Sequence, residues 1–103
     1  MAKYLLAYKG GQMGQTVAER EEGMAKWGAW FGGLGAAIVD PGNPFGPSAA
    51  VPSNGAAGAP SALSGYSLVN ADTLAAAAEL AKGCPVIDAG GSVEVYEAIP
   101  IEM

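Results

Sequence analysis

Glu94 and Tyr96 stand two residues apart in the alternating segment Val93-Glu94-Val95-Tyr96. In an extended strand, residues two apart point to the same side, so a carboxylate and a phenol share one face while Val93 and Val95 occupy the other. A carboxylate desolvated in such a place has a raised pKa and serves as a general acid or base, beside a phenol that can hydrogen-bond a carbonyl or a second phenol. Glu94 is therefore the leading catalytic candidate and Tyr96 a ligand-binding neighbour. Tyr8 joins them if its strand turns it the same way. Tyr4, Leu6 and Tyr8 share a face of the opening strand, and the pattern alone leaves open which face that is. The plainer reading of Glu94 is a glutamate paired across an interface or solvated at a sheet edge.

Asp40, at the start of Asp40-Pro41-Gly42, is a second catalytic candidate, since a loop carboxylate can reach a substrate; ordinary turn chemistry accounts for the nearby Asn43 and Ser48. Trp27, Trp30 and Phe31 could form an aromatic wall. Helix geometry puts Trp27 and Phe31 in the middle of a buried face, whereas Trp30 lies about 80° from its centre, where it could border a cleft. Trp30 is thus a third ligand-binding candidate, with Tyr8 and Tyr96. Cys84 follows the end of a helix, where the dipole disfavours a thiolate, and reads as a small buried structural residue. Lys9-Gly10-Gly11-Gln12-Met13-Gly14 has the position of a dinucleotide fingerprint but a lysine in its first place, and reads as a flexible turn.

The elements that would position these groups follow from pattern. Lys3 to Tyr8 is aromatic and aliphatic and stops at Lys9-Gly10-Gly11, as a strand entering a turn does. Thr16 and Glu19 have the spacing of a capping box, and Val17, Met24, Trp27, Phe31 and Leu34 then fall in one sector of an amphipathic helix expected to pack on a sheet. Ala37–Asp40 and Ser48–Val51 are short apolar runs read as strands on either side of a proline-rich connector. Pro52 to Ser64 reads as a mobile hairpin loop in which Asn54-Gly55 supplies a tight turn. Tyr66–Val69 recovers strand character. Asp72 offers an N-cap to an alanine-rich helix over 73–82, with Leu74, Ala77, Ala78 and Ala81 on one side and Gly83 and Pro85 as its stop. Val93–Ile99 is the closing half-buried strand. Five strands and two helices in this order come nearest to β-α-β-β-α-β, a ferredoxin-like α+β fold with both helices on one face of an antiparallel sheet. The other face would be left bare, and two such faces packed together would bury it, so a homodimer is expected.

Totals narrow the function classes. The 103 residues suit one domain, with 16 glycines and 7 prolines that build little core. A net charge of −5 and five scattered Lys and Arg residues argue against a nucleic-acid partner. Glycine, proline or charge interrupts every apolar stretch, which argues against a membrane span, and the opening residues lack a secretion-signal pattern, which leaves a cytoplasmic location as the default. With no histidine and a single cysteine, no metal, haem or other cofactor is expected.

Several stretches, taken in order, resemble the YCII-related (DGPF) domain family: Lys3-Tyr4-Leu5-Leu6, Trp27-Gly28-Ala29-Trp30-Phe31, Gly42-Asn43-Pro44-Phe45-Gly46-Pro47, Gly65-Tyr66-Ser67, Ala81-Lys82-Gly83-Cys84-Pro85 and Gly91-Ser92-Val93-Glu94-Val95. The resemblance covers nearly the whole chain and implies a dimeric α+β barrel of ferredoxin-like subunits. It does not carry a mechanism: the histidine of the family's histidine–aspartate pair has no counterpart here, and the Asp-Gly-Pro-Phe tetrapeptide is absent, with Asn43-Pro44-Phe45 remotely similar. The expectation is a small-molecule-binding dimer, an isomerase or lyase working by proton transfer without a cofactor. The alternative is a non-catalytic structural or protein-interaction module.

Overall fold

The computed structural model describes residues 1–11, 16–55 and 60–101. Along the chain run β1 (Ala2–Lys9), α1 (Val17–Leu34), a 3-10 turn (Gly35–Ala37), β2 (Ile38–Asp40), β3 (Leu63–Ala71), α2 (Leu74–Ala81), α3 (Pro85–Asp88) and β4 (Ser92–Ala98). The four strands form one antiparallel sheet in the order β2-β3-β1-β4. The protein is thus α+β, with a four-stranded antiparallel sheet and helices.

Register assigns each side chain to a face. Rows across the sheet place Val69, Tyr4 and Glu97 side by side, then Ser67, Leu6 and Val95, then Gly65, Tyr8 and Val93. These belong to the face that packs on the helices: Tyr4, Leu6, Tyr8 and Val69 form one cluster with Ala77 and Ala81 of α2, Cys84 and Val86, and Trp27, Trp30 and Leu34 pack against it. The intervening rows, Leu68-Leu5-Tyr96 and Tyr66-Ala7-Glu94, lie on the opposite face and contribute nothing to that cluster. The orientation of Tyr8 is thereby decided. It faces the helices.

α1 starts as its capping box requires. The Thr16 hydroxyl accepts from the Glu19 N–H, and the Glu19 carboxylate accepts from the Thr16 N–H. Its packing departs from the expected amphipathic stripe, because Val17 and Met24 are 66% and 75% exposed. The last two turns of α1 make the contacts with the body, where Trp27 sets its ring edge on Tyr8 with centroids 5.1 Å apart. The N-cap of α2 is Thr73, whose hydroxyl accepts from the Ala76 N–H, and not Asp72 as expected; the helix begins one residue later and threonine occupies the cap position. Of the expected buried face, Ala77 and Ala81 are buried, whereas Leu74 is exposed. The stop after α2 is followed by the short α3, opened by Pro85 in the first turn, where a missing N–H costs nothing.

Ser48–Val51 forms no strand. The chain after β2 instead holds to β3 through Pro44, which bridges Gly65, and through the Phe45 N–H to Ser64 and the Tyr66 N–H to Asn43. Prolines at 44, 47 and 52 lack the N–H groups that a continued ladder needs. Gly42 permits this close approach: its φ is +73°, and a Cβ there would stand 1.8 Å from the Tyr66 carbonyl oxygen. A tight turn is present but lies one residue earlier than expected: the Gly55 N–H donates to the Pro52 carbonyl, Ser53 and Asn54 are its central residues, and of the Asn54-Gly55 pair Gly55 takes a positive φ, +76°. The rest of the expected hairpin loop at 56–59, like Gln12, Met13 and Gly14 of the glycine-rich turn, lies outside the described residues.

Candidate functional site

The alternation of β4 brings Glu94 and Tyr96 to the face opposite the helices, as the sequence indicates. The Tyr96 hydroxyl donates to Glu94 Oε1. That hydrogen bond, which favours the protonated phenol, raises the Tyr96 pKa above the usual phenol value, and the negative charge of Glu94 adds to the effect. On the other side of the carboxylate, Lys9 Nζ stands 3.9 Å from Glu94 Oε2. Both oxygens of Glu94 therefore face a hydrogen-bearing group. The Lys9 and Glu94 side chains are 44% and 42% exposed, so their pairing is solvent-screened and adds little to stability. Lys9, Glu94 and Tyr96 form a polar cluster on an accessible sheet surface.

Beside this cluster lies an aromatic pair. Tyr66 is in the same cross-strand row as Ala7 and Glu94, and Phe45 stacks on it with centroids 5.7 Å apart and planes inclined by 18°. Phe45 also lines an open depression of about 440 Å³ with Pro47, Ala50 and Leu63. Leu63 is the direct β3 partner of Lys9, which sets the depression next to the lysine. Lys9, Tyr66 and Phe45 were not singled out from sequence as site residues. Their signal is the register: once Tyr8 is known to face the helices, Lys9 must face the other way, and the residues paired with it follow.

The remaining candidates are held elsewhere. The Tyr8 hydroxyl donates to Ser67 Oγ at 2.7 Å, and the Ser67 hydroxyl donates to the Pro41 carbonyl at 2.6 Å. This relay lies between sheet and helices, so Tyr8 makes no constellation with Glu94 and Tyr96. Burial pushes the Tyr8 phenol well above its ordinary pKa. The Cys84 thiol sits within hydrogen-bonding reach of Tyr8 and is pushed up to about 11, chiefly by burial, as suits a structural thiol. The Trp30 indole N–H donates to the Leu80 carbonyl at 3.2 Å and ties α1 to α2. Asp40 accepts from the Gly42 N–H at 2.9 Å and so closes its own turn.

Among the described residues, no group of three or more His, Cys, Asp or Glu side chains is placed to hold a metal ion. No described helix is long and apolar enough to cross a membrane. The chain matches no family model, and neither a curated protein nor a solved structure is significantly similar to it.

Proposed function

We propose that the protein is a small-molecule-binding homodimer of ferredoxin-like subunits, in which two helix-free sheet faces enclose a barrel and Glu94 exchanges a proton with the ligand in cofactor-independent isomerase or lyase chemistry. The observation that carries this reading is the Tyr96–Glu94 hydrogen bond on the sheet face opposite the helices. A carboxylate held by a phenol can give or take a proton while the phenol stays close to the oxygen of a carbonyl ligand. A second chain over this face would exclude water from Glu94 and so strengthen its electrostatic contact with a bound ligand.

Surface area supports the partner. The single chain exposes 7068 Å² for its 10.2 kDa, against about 5300 Å² for a compact monomer of that mass. Its radius of gyration is 15.1 Å, against about 13 Å for a compact chain of this length. The excess surface is larger than the roughly 800 Å² that each partner buries in a standard interface. The resemblance to YCII-related domains points the same way.

The non-catalytic reading is favoured by a different observation: Tyr8, Trp30 and Asp40 are each engaged in bonds within the fold. Native mass spectrometry of the gently purified chain and of Glu94→Gln separates the two. The proposed function requires a dimer carrying a discrete non-covalent mass that Glu94→Gln loses or fails to turn over. A dimer without ligand, unchanged by the substitution, favours the structural module, and a stable monomer at micromolar concentration overturns the barrel.

A further inference from the structure

We propose that Lys9 makes the helix-free face a site for a small aromatic carboxylate, with the acid group at the Lys9 ammonium and the ring against Tyr66 and Phe45. This rests on the ligand-binding reading of that face and names its ligand class. Ala7 is the direct partner of both Tyr66 and Glu94; Lys9, two residues further along the central strand, is the diagonal neighbour of Glu94, while toward β3 a bulge after Tyr8 sets Lys9 opposite Leu63, which lines the depression with Phe45. Directly opposed residues stand roughly 5 Å apart, so a ring held at Phe45 and Leu63 can carry its carboxylate to the Lys9 ammonium. Ala7 itself is 2% exposed although it lies on the face without helices.

Lys9 is available for such a ligand. Its contact with Glu94 is long, at 3.9 Å, and both side chains are well exposed, so a ligand carboxylate offering charge-assisted hydrogen bonds of about 2.8 Å displaces a weak pair with a stronger one. That exchange frees one oxygen of Glu94 next to the bound molecule. The ring's partner surface is already built, because Phe45 and Tyr66 stack on each other and Phe45 keeps 45% of its surface exposed. Beside them, the open depression has walls of Phe45, Pro47, Ala50 and Leu63. Charge sets the sign of the ligand. In a chain of net charge −5, two of the five basic residues, Lys3 and Lys9, fall on this one face of β1.

The test is calorimetric titration of the full chain with benzoate and with benzamide, its uncharged counterpart. Benzoate is expected to bind at least about tenfold tighter than benzamide, and Lys9→Gln to lower benzoate affinity by about tenfold. Lys9→Arg keeps the preference, while Phe45→Ala weakens both compounds. Far-UV circular dichroism and the native mass establish that each variant keeps its fold and subunit count. Equal affinity for the two compounds, unchanged benzoate binding in Lys9→Gln, or no benzoate binding at millimolar concentration overturns the assignment. If benzoate fails while the native dimer carries some other mass, the ligand class alone is wrong; a bare monomer removes the barrel reading beneath it.

Discussion

Ser67 and Tyr8 stabilise the protein through one relay, and removing them singly should cost different amounts. The Tyr8 hydroxyl donates to Ser67 Oγ, which donates onward to the Pro41 carbonyl; Ser67 is 0% exposed and Tyr8 5%. Tyr8→Phe removes the first donor and leaves Ser67 still bonded to Pro41, so the loss is one net hydrogen bond, about 1 kcal/mol. Ser67→Ala leaves the Tyr8 hydroxyl in the core with only the weakly accepting Cys84 sulfur in reach, and the desolvation penalty raises the loss to about 2–3 kcal/mol. The double variant has no stranded hydroxyl. It should cost no more than Ser67→Ala alone, which gives a coupling energy of about 1 kcal/mol or more. Urea unfolding at fixed protein concentration measures all four proteins, followed by tryptophan fluorescence, because Trp27 lies edge-on to Tyr8. In a chain of 103 residues, each 1 kcal/mol also moves the thermal midpoint by about 4–8 °C. Additive losses, or a Tyr8→Phe loss equal to that of Ser67→Ala, would refute the relay. Loss of ligand from Tyr8→Phe with stability unchanged would return Tyr8 to the binding site.

Stability should also fall at alkaline pH. Burial raises the Cys84 thiol from 9.0 to about 11 and raises Tyr8 above its ordinary 10.0; the fold favours both neutral forms, so the thiol's contribution is complete below pH 9 and lost as pH rises through 11, and that of Tyr8 is lost as pH rises above 10. Integrated over two pH units, the thiol accounts for about 2–3 kcal/mol, and Cys84→Ala should flatten the fall in a series of urea melts between these values. Gly42→Ala should lose more than about 2 kcal/mol, since the position combines a positive φ with a Cβ 1.8 Å from the Tyr66 oxygen. Gly46→Ala, where a Cβ meets nothing within 4 Å, should stay within about 0.5 kcal/mol in the same melts. Trp30→Phe should lose about 1 kcal/mol with the bond to Leu80 and leave the mass of any retained ligand unchanged; a lost ligand would place Trp30 at the binding site.

Local pattern determined a good deal of this protein. The capping box at Thr16 and Glu19, the strand character of Lys3–Tyr8, the alanine helix, and the sharing of one face by Glu94 and Tyr96 all rest on interactions within a few residues. Such features are fixed by short-range geometry and are legible in the chain. The failures arise where distant segments meet. Val17 and Met24 match the helix period, yet that end of α1 has no surface to cover. Ser48–Val51 has strand-like residues but sits among prolines, and the connector before it took the available edge of β3. Thr73 won the cap from Asp72 by one residue.

The site divides in the same way. Sequence periodicity put Glu94 with Tyr96, but it left the orientation of Tyr4, Leu6 and Tyr8 undecided, because an alternating strand is consistent with either face inward. Only pairing in the sheet chose. Tyr8 went to Ser67 and Cys84, Lys9 went to Glu94, and Tyr66 and Phe45 arrived from segments more than 35 residues away. The two-residue period of a strand decides which side chains travel together, whereas the register between strands and the burial of one face against the helices decide what they meet.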